Sequence, residues 1–388
     1  MTEIAHGALV ALPGEAILSR WWRTVDKLVL GCLVTLFAVG ILLGLAASVP
    51  LAERNGLPQF HYVERQLVFG AMAFGVMAVV SMMSVDVVRR LAVLGFLASL
   101  AAVMLLPVLG TDFGKGAVRW YSLGFASVQP SEFLKPCFVV VTAWLMAASQ
   151  QPNGPPGKTI SACVTLLILG FLAAQPDFGQ AMLHVIAWSA IYFVAGAPIV
   201  LITAVIGLVG LAGVVAYGSS EHFARRIDGF LDPEIDPRTQ MGYATNAIRE
   251  GGFFGTGVNE GQVKWTLPDA HTDFIIAVAA EEYGLVMVLL VVALFATVTV
   301  RCLMRLTRER DMFARLAGTG LTVLIASQAF VNLGVAVRLL PAKGMTLPFV
   351  SYGGSSLVAM GGLAGMLLCF TRLRAQNEIG DVLLGRGR

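Results

Sequence analysis

Residues 267–300 read LPDAHTDFIIAVAAEEYGLVMVLLVVALFATVTV, so that a polar loop runs directly into a long apolar segment. The apolar part, residues 274–300, is longer than the roughly 20 residues that an α-helix needs to cross a bilayer. Asp273 therefore falls where the loop meets the membrane surface. A carboxylate held beside hydrocarbon is costly and by default marks a functional site. Asp273 is the first catalytic candidate in this sequence.

The composition of the whole chain is typical of a membrane protein. Of the 388 residues, 57% are hydrophobic and only 13% are charged, whereas soluble domains are about a quarter charged. Apolar segments of spanning length recur along the chain and predict an all-α polytopic membrane protein of about ten transmembrane helices. These segments lie at 28–49, 66–85, 90–109, 133–149, 158–174, 180–196, 198–217, 274–300, 314–337 and 354–372.

The basic residues predict how these helices are oriented. Lys and Arg concentrate in alternate loops, and an excess of them is typical of the cytoplasmic side. Both ends of the chain are then cytoplasmic, and residues 218–272 form one large extracytoplasmic loop. We predict a cytoplasmic tail at 1–27, a membrane domain at 28–372 and a second cytoplasmic tail at 373–388. The net charge of +3 is too small to indicate nucleic acid.

The large loop contains the pattern of a short amphipathic helix. Asp236 and Pro237 suit the N-cap and the first helical position, and Gly251–Gly252 suits the end. Apolar residues recur between them at helical spacing, which favours a helix lying on the membrane. The glycine-rich residues 251–257 that follow either form a plain turn or bring the backbone close to a ligand or to another segment.

Further polar residues interrupt apolar sequence on the same predicted side. Glu132 and Lys135 are three apart and suit an ion pair on one helix face. Alternatively, Lys135 and nearby Arg119 face an anionic group such as a phosphate. Asp273 has an alternative of its own, because a carboxylate at the start of a helix complements the helix dipole.

Other polar groups fall at the helix ends or inside the apolar segments. Gln175 and Asp177 lie in a short turn, and Glu281 and Glu282 lie inside the eighth span, where they need a partner or water. Gln328 and Asn332 lie four apart on the ninth helix, where hydrogen bonds between helices are favoured. A polar segment with irregular backbone contains Lys343, Ser351 and Tyr352, and such backbone is tolerated at membrane depth only inside protein or beside a cavity.

Five pieces of sequence, in this order among the spans, resemble the SEDS family of peptidoglycan glycosyltransferases. They are QPSEFLK, QPDFG, AIREGGFFGTG, LPDAHTDFIIAVAAEEYG and LPFVSYGGSS, and the resemblance covers about residues 28–372. The ending Ser355–Ser356 and the 27-residue tail favour a division-type member over the elongation-type paralogue. Arg338 departs from the family pattern, in which a small or neutral residue is expected at this position.

The resemblance implies an enzyme of the cytoplasmic (inner) membrane that polymerises lipid II into glycan strands at the outer face during septal cell-wall synthesis. It implies as partners a class B penicillin-binding transpeptidase of the FtsI type and other division proteins. Asp273 falls on the essential aspartate of the family. Arg119 and Lys135 fall on its functionally sensitive basic positions. Beyond these, the polar residues predicted to bind substrate are Glu132, Lys343, Ser351 and Tyr352, and those predicted to support the site are Gln175, Asp177, Glu281 and Glu282.

The chemistry of this reaction suits the same residues. Joining two sugars on lipid pyrophosphate needs a base for the attacking hydroxyl, and Asp273 can supply it. An α-linked sugar diphosphate becomes a β-linkage, so one inversion is enough and no covalent enzyme intermediate is needed. Cationic Arg119, Lys135 and Lys343 suit the pyrophosphate. A divalent cation, Mg²⁺ or Mn²⁺, bridging Asp273 and the pyrophosphate stays open.

Two other classes of protein also fit a polytopic bundle with polar residues. A lipid II flippase or secondary transporter would need charges near the bilayer midplane and matched interruptions in the two halves of the chain. The polar clusters here gather instead at one face, and no internal repeat is visible. A division scaffold without enzymatic activity offers no reason for Asp273, Lys135 and Arg119 to converge.

Overall fold

The computed structural model describes residues 16–112, 118–124, 126–219, 221–232, 239–267, 269–341 and 344–373. Ten apolar helices in these residues form a bundle, in agreement with the all-α prediction. Nine are long and apolar enough to cross a membrane, and the tenth, Phe178–Val194, is a shorter apolar helix. The ten are α2 (Lys27–Arg54), α3 (His61–Met82), α4 (Val85–Leu109), α5 (Pro130–Ala148), α6 (Gly157–Ala174), α7 (Phe178–Val194), α8 (Ile199–Ser219), α12 (Ile275–Leu306), α13 (Met312–Ala336) and α14 (Gly354–Thr371).

Short elements connect or flank these helices. A helix α1 (Ile17–Thr24) precedes the first span, and strands β1 (Tyr121–Ser122) and β2 (Ser127–Val128) form a small antiparallel hairpin between α4 and α5. The large loop contains α9 (Glu221–Leu231), α10 (Gln240–Gly251) and α11 (Val263–Thr266).

Polar caps fix where several spans begin. The Asp26 side chain accepts hydrogen bonds from the first N–H groups of α2, Ser84 does the same for α4, and Asp311 for α13. Pro130 occupies the first turn of α5, where its missing N–H has no consequence. Each cap satisfies N–H groups that the helix cannot pair itself.

The middle of the bundle consists of α5, α13 and α14. In the 18-residue apolar stretch of each helix, other parts of the protein bury 72% of α5, 72% of α13 and 78% of α14. α14 packs along α3, and a Cβ added at Gly361 would lie 2.3 Å from the carbonyl oxygen of Ala73. A small residue therefore sets the approach of these two helices, as is common in membranes. In contrast, only 11% of the corresponding apolar stretch of α8 is buried.

The amphipathic helix predicted in the large loop is α10, but its surroundings differ from the prediction. Asp236 and Pro237 lie outside the described residues, and α10 begins at Gln240 after the N-cap Thr239. It ends at Gly251, as predicted, and Gly252 has a positive φ of 55°. Its small residues Gly242, Ala244, Ala247 and Gly251 are buried, and α10 packs against α12. The helix is therefore attached to the bundle by a close-packed face.

Candidate active site

A cavity of about 870 Å³ opens at the end of the bundle that carries the large loop. Its walls come from α3, the β1–β2 hairpin, α5, α9, the turn before α12 and the residues that lead into α14. Segments far apart in the sequence therefore enclose one space, as is usual for a binding site. The predicted residues that line it are Arg119, Glu132, Asp273 and Tyr352.

Asp273 lies in the turn that precedes α12. The N-cap of this helix is Phe274, which makes no side-chain capping hydrogen bond, so Asp273 is one residue outside the capping position. The Asp273 N–H donates to the Asp269 carbonyl oxygen at 3.1 Å. The half-buried carboxylate of Asp273 lines the cavity, and a Cβ added at Gly344 would lie 3.2 Å from its Oδ2 atom. A glycine at this position leaves room beside the carboxylate.

Asn332 on α13 holds the backbone on both sides of this carboxylate. Its Nδ2 donates to the carbonyl oxygens of Asp273 at 3.0 Å and Met345 at 2.7 Å. One turn earlier, Gln328 Nε2 donates to the Thr346 carbonyl oxygen at 3.0 Å. From the sequence, both amides were predicted to form hydrogen bonds between helices. Most of their hydrogen bonds instead position two irregular segments of the cavity wall.

Glu132 and Lys135 form the ion pair that their spacing predicted. Lys135 Nζ lies 2.9 Å from Glu132 Oε2 and 2.9 Å from Gln328 Oε1. Gln180 Nε2 donates to the other carboxylate oxygen of Glu132 at 2.5 Å. Glu132 lines the cavity, whereas the Lys135 side chain is only 2% exposed and lies behind it. The ammonium group therefore reaches the cavity wall through its contact with Glu132.

Arg119 joins the hairpin side of the cavity to the turn between α6 and α7. Its Nε donates to the Gln175 carbonyl oxygen at 3.0 Å and a terminal nitrogen donates to that of Pro176 at 2.7 Å. Gln175 Nε2 in turn donates to the Val103 carbonyl oxygen at 2.9 Å. The same turn contains Asp177, which accepts a hydrogen bond from Gln129 at 3.2 Å. Burial raises the pKa of the Asp177 carboxyl, and the positive charge of Arg119 opposes that shift.

Ser351 and Tyr352 have different roles in the structure. Ser351 Oγ accepts from the Leu347 N–H at 2.9 Å and donates to the Thr272 carbonyl oxygen at 2.5 Å. This buried hydroxyl therefore ties the turn of Asp273 to the segment before α14. Tyr352 lines the cavity, and burial raises the pKa of its phenol while Arg65 opposes the shift. Lys343 lies outside the described residues.

Glu281 and Glu282 support the large loop. Glu281 Oε1 accepts from the backbone N–H groups of Gln262 at 2.7 Å and Val263 at 3.0 Å, at the start of α11. Glu282 pairs with Lys264 at 2.6 Å, and both side chains are almost fully buried. The partners that these carboxylates require within an apolar segment are thus supplied by the loop that folds back over α12.

Three arginines that line the cavity were not selected from the sequence as ligands, namely Arg65, Arg225 and Arg338. Arg338 was considered only as a departure from a family pattern. Arg338 adopts a φ of 58° and donates to the carbonyl oxygens of Phe230, at 3.2 Å, and Asp232. In the sequence, Arg65 and Arg338 each lie at the predicted outer end of a helix. That position alone does not indicate that the two side chains share a cavity.

The described residues contain no group of three or more His, Cys, Asp or Glu side chains placed to hold a metal ion. Among the described residues, the acidic side chains that line the cavity are Glu132, Asp269 and Asp273. They face it together with Arg65, Arg119, Arg225 and Arg338. The cavity thus presents carboxylates and a larger number of cations, which suits an anionic substrate and a reaction that needs a proton acceptor.

The fold and the site together define the class of this protein: it is a polytopic helical membrane protein with a charged cavity at one end of its bundle. Residues 26–376 match the family FTSW_RODA_SPOVE, described as "Cell cycle protein". The chain therefore belongs to this family, and its sequence resemblance to SEDS proteins is confirmed.

Related proteins match over nearly their whole length. The chain is 40% identical to the "Probable peptidoglycan glycosyltransferase FtsW" of Caulobacter vibrioides, with 95% of each chain covered. It is 37% identical to the protein of the same name from Alkalilimnicola ehrlichii, with 89% of each covered.

Solved structures show the same fold. One chain of a structure described as "Structural coordination of polymerization and crosslinking by a peptidoglycan synthase complex" matches with a TM-score of 0.72 and 26% identity, covering 89% of this chain and 97% of that one. The rod shape determining protein RodA of Thermus thermophilus matches with a TM-score of 0.66 and 24% identity, covering 90% of this chain and 97% of that one.

Proposed function

We propose that this protein is a peptidoglycan glycosyltransferase that polymerises lipid II into glycan strands during septal cell-wall synthesis. The observation that carries the proposal is the position of Asp273 in a cavity that, in the part of the chain the structure describes, is also lined by four arginines. Relatives named FtsW support the septal role over the elongation role. The reaction takes place at the end of the bundle that carries the large loop, and this end faces the outside of the cytoplasmic membrane.

Asp273 is the general base in this proposal. It accepts the proton of the attacking sugar hydroxyl, whose oxygen forms a bond to the anomeric carbon of a second lipid-linked sugar. The bond from that carbon to the pyrophosphate breaks, and lipid pyrophosphate leaves with the electron pair. The configuration at the anomeric carbon inverts in this single displacement. Asn332 and Ser351 hold the turn of Asp273, so that its carboxylate is positioned before substrate binds.

Positive charge in the cavity binds the two pyrophosphate groups of the lipid substrates. Arg65, Arg119, Arg225 and Arg338 line the cavity, and guanidinium groups suit phosphate oxygens because they donate two parallel hydrogen bonds. Lys135 contributes through Glu132, which it holds at the cavity wall. A bound Mg²⁺ or Mn²⁺ would neutralise pyrophosphate charge, with Asp273 as the candidate to hold it.

The same comparisons support a transpeptidase partner. The matched chain described with a peptidoglycan synthase complex belongs to an assembly that coordinates polymerisation and crosslinking. We therefore propose a class B penicillin-binding transpeptidase of the FtsI type as the partner of this chain, together with other division proteins.

The experiment that tests the proposal measures glycan polymer made from purified lipid II by the protein with its partner. Asp273→Asn and Asp273→Ala should insert and bind the partner normally but lose at least about a hundred-fold in rate, the usual contribution of a general base. Asp269→Asn is the matched control, because it removes a charge from the same turn and cavity but leaves the base. Near-normal polymerisation by Asp273→Asn would refute the base assignment.

A lipid II flippase predicts another outcome. Substrate supplied on the outer side would then be polymerised only by another enzyme, and variants of Lys135 would alter movement of lipid II between leaflets. Polymer length and lipid II translocation can be measured in the same proteoliposomes. Normal polymer with impaired translocation in Lys135→Gln would favour the flippase, whereas Lys135→Arg should keep part of the polymerase activity because it retains the charge.

A further inference from the structure

The glycine-rich segment after α10 packs into a break in α12. Gly284 has non-helical backbone angles, φ 73° and ψ −171°, in the middle of this helix. The N–H groups that follow, of Leu285 and Val286, donate to the carbonyl oxygens of Gly252 at 3.1 Å and Phe253 at 3.4 Å. The loop therefore supplies the hydrogen bonds that α12 loses at its break.

The segment is also fixed on the other side of the break. The Thr256 N–H donates to the Glu281 carbonyl oxygen at 2.8 Å, and the Thr256 hydroxyl donates to the same oxygen at 3.0 Å. Gly255 packs so closely that an added Cβ would lie 2.2 Å from the Glu282 carbonyl oxygen. Residues 252–256 are thus held at one height along α12.

Residues 252–256 lie beside the turn of α12 at which its apolar side chains first become exposed to lipid. Residues 275–282 of α12 are buried, whereas Leu285 is 42% exposed and Val286 47% exposed. Exposed apolar side chains continue toward the other end of the helix at Leu289, Leu290 and Val292. The charged residue Arg301 ends this apolar run. From Leu285 to Arg301 the helix rises about 24 Å at 1.5 Å per residue, which fits within the roughly 30 Å of a hydrocarbon core. Leu285 therefore lies inside or at the edge of the hydrocarbon.

Two aromatic side chains project beside this first lipid-facing turn. Phe253 is 56% exposed and Phe254 is 80% exposed, and their rings contact each other edge to face with centroids 5.0 Å apart. Apolar area of this size on a loop is costly in water. Here it lies beside the exposed apolar turn of α12, because the Phe253 carbonyl oxygen accepts a hydrogen bond from the Val286 N–H.

We propose that Phe253 and Phe254 form an anchor that inserts into the acyl chains of the leaflet next to the large loop. Phospholipid acyl chains are the partner of this surface. The anchor fixes the depth of the loop in the membrane, and through the hydrogen bonds to α12 it fixes the depth of the helix that begins after Asp273.

Spin labels on the full-length protein in phospholipid vesicles test this proposal. Of the five cysteines only Cys163 is exposed, so Cys163→Ser supplies a background in which one introduced cysteine can be labelled. Three positions are compared: Phe254→Cys, the exposed charged loop position Glu260→Cys and the lipid-facing position Leu289→Cys. Oxygen, which concentrates among acyl chains, and a water-soluble nickel chelate are the relaxing reagents.

The label at residue 254 should resemble that at 289, with a ratio of oxygen to chelate accessibility several-fold above that at 260. A label at 254 that resembles 260 would place the aromatic pair in water and overturn the proposal. Accessibility to neither reagent would mean that protein, such as a second copy of this chain, covers the pair, which also overturns it.

A second measurement preserves the aromatic character of the loop. Phe254→Trp should show more quenching of total tryptophan fluorescence in vesicles of brominated phospholipid than the unaltered protein does. The matched variant Leu289→Trp gives the change expected for a tryptophan in lipid contact. A Phe254→Trp protein quenched no more than the unaltered protein would count against the anchor even if the cysteine variant fails to fold.

Discussion

The positive charge of Lys135 is compensated by neighbouring side chains inside the bundle. Its ammonium group lies between Glu132 and Gln328, and the side chains of Lys135 and Glu132 are only 2% and 5% exposed. Two charges buried in this way are costly unless each compensates the other, and removal of one partner is worse than removal of both. The pair therefore makes a prediction about stability that is separate from any role in substrate binding.

Glu132→Ala should lower the free energy of unfolding by about 3–5 kcal/mol, because it leaves the Lys135 ammonium buried without its counter-charge. The double variant Glu132→Gln, Lys135→Met removes both charges and should be clearly more stable than the single variant. Thermal unfolding of the purified proteins in detergent checks this order. Equal unfolding temperatures for the two variants would argue against a stabilising ion pair.

At the residue scale, the sequence predicted the chemistry of individual groups better than their partners. The spacing of Glu132 and Lys135 predicted their ion pair, because three residues on a helix bring two side chains to one face. The contact of Asn332 with the Asp273 carbonyl joins residues 59 positions apart. No local pattern specifies such a contact, and it depends on how α13 packs beside the turn before α12.

At the scale of elements, the break in α12 depends on one glycine. The conformation of Gly284, with positive φ and ψ near 180°, is essentially restricted to glycine and costs other residues about 1–3 kcal/mol. An added Cβ would also lie 2.4 Å from the Gly255 nitrogen and 2.4 Å from the Phe253 carbonyl oxygen. The loop and the helix therefore cannot both keep their positions if this residue gains a side chain.

Gly284→Ala should lower the unfolding temperature and separate residues 252–256 from α12. Hydrogen exchange of the Leu285 and Val286 amides measures this separation, since those N–H groups lose their acceptors. Gly207→Ala is the matched control, because Gly207 lies in α8 with nothing within 4 Å of an added Cβ. Unchanged exchange in Gly284→Ala would show that the helix closes its own break.

The positions of the spans were predictable, since about 20 apolar residues per crossing is a strong constraint. The segment predicted at 158–174 is α6, Gly157–Ala174, almost residue for residue. The segment predicted at 274–300 is longer in the structure, because α12 continues to Leu306. Its break was not predicted, because a single glycine in an apolar run gives no sign of the loop that must pack against it.

At the scale of the whole molecule, the orientation in the membrane is a prediction from charge. The cavity and the large loop lie at one end of the bundle, and at the other end Asp26 pairs with Arg301 at 2.9 Å and Arg305 at 2.5 Å. Arginines at helix ends are typical of the cytoplasmic side. The cavity should then face away from the cytoplasm.

Cysteine labelling in intact cells checks this orientation. In the Cys163→Ser background, Glu260→Cys should react with a maleimide that cannot cross the membrane, and Gln151→Cys should react only after the cells are permeabilised. Gln151 lies in the exposed connection between α5 and α6, at the opposite end from the loop. Labelling of Gln151→Cys in intact cells would reverse the assignment.

The weak packing of α8 has a consequence for how its sequence can vary. A helix that lies mostly against lipid is not selected for the shape of its side chains, because acyl chains adapt to any apolar surface. A Cβ added at Gly207, Gly210 or Gly213 would meet no other atom within 4 Å, whereas in the buried helices α13 and α14 each side chain fills space that its neighbours define. Relatives should therefore diverge fastest along residues 199–219 and yet preserve their hydropathy there.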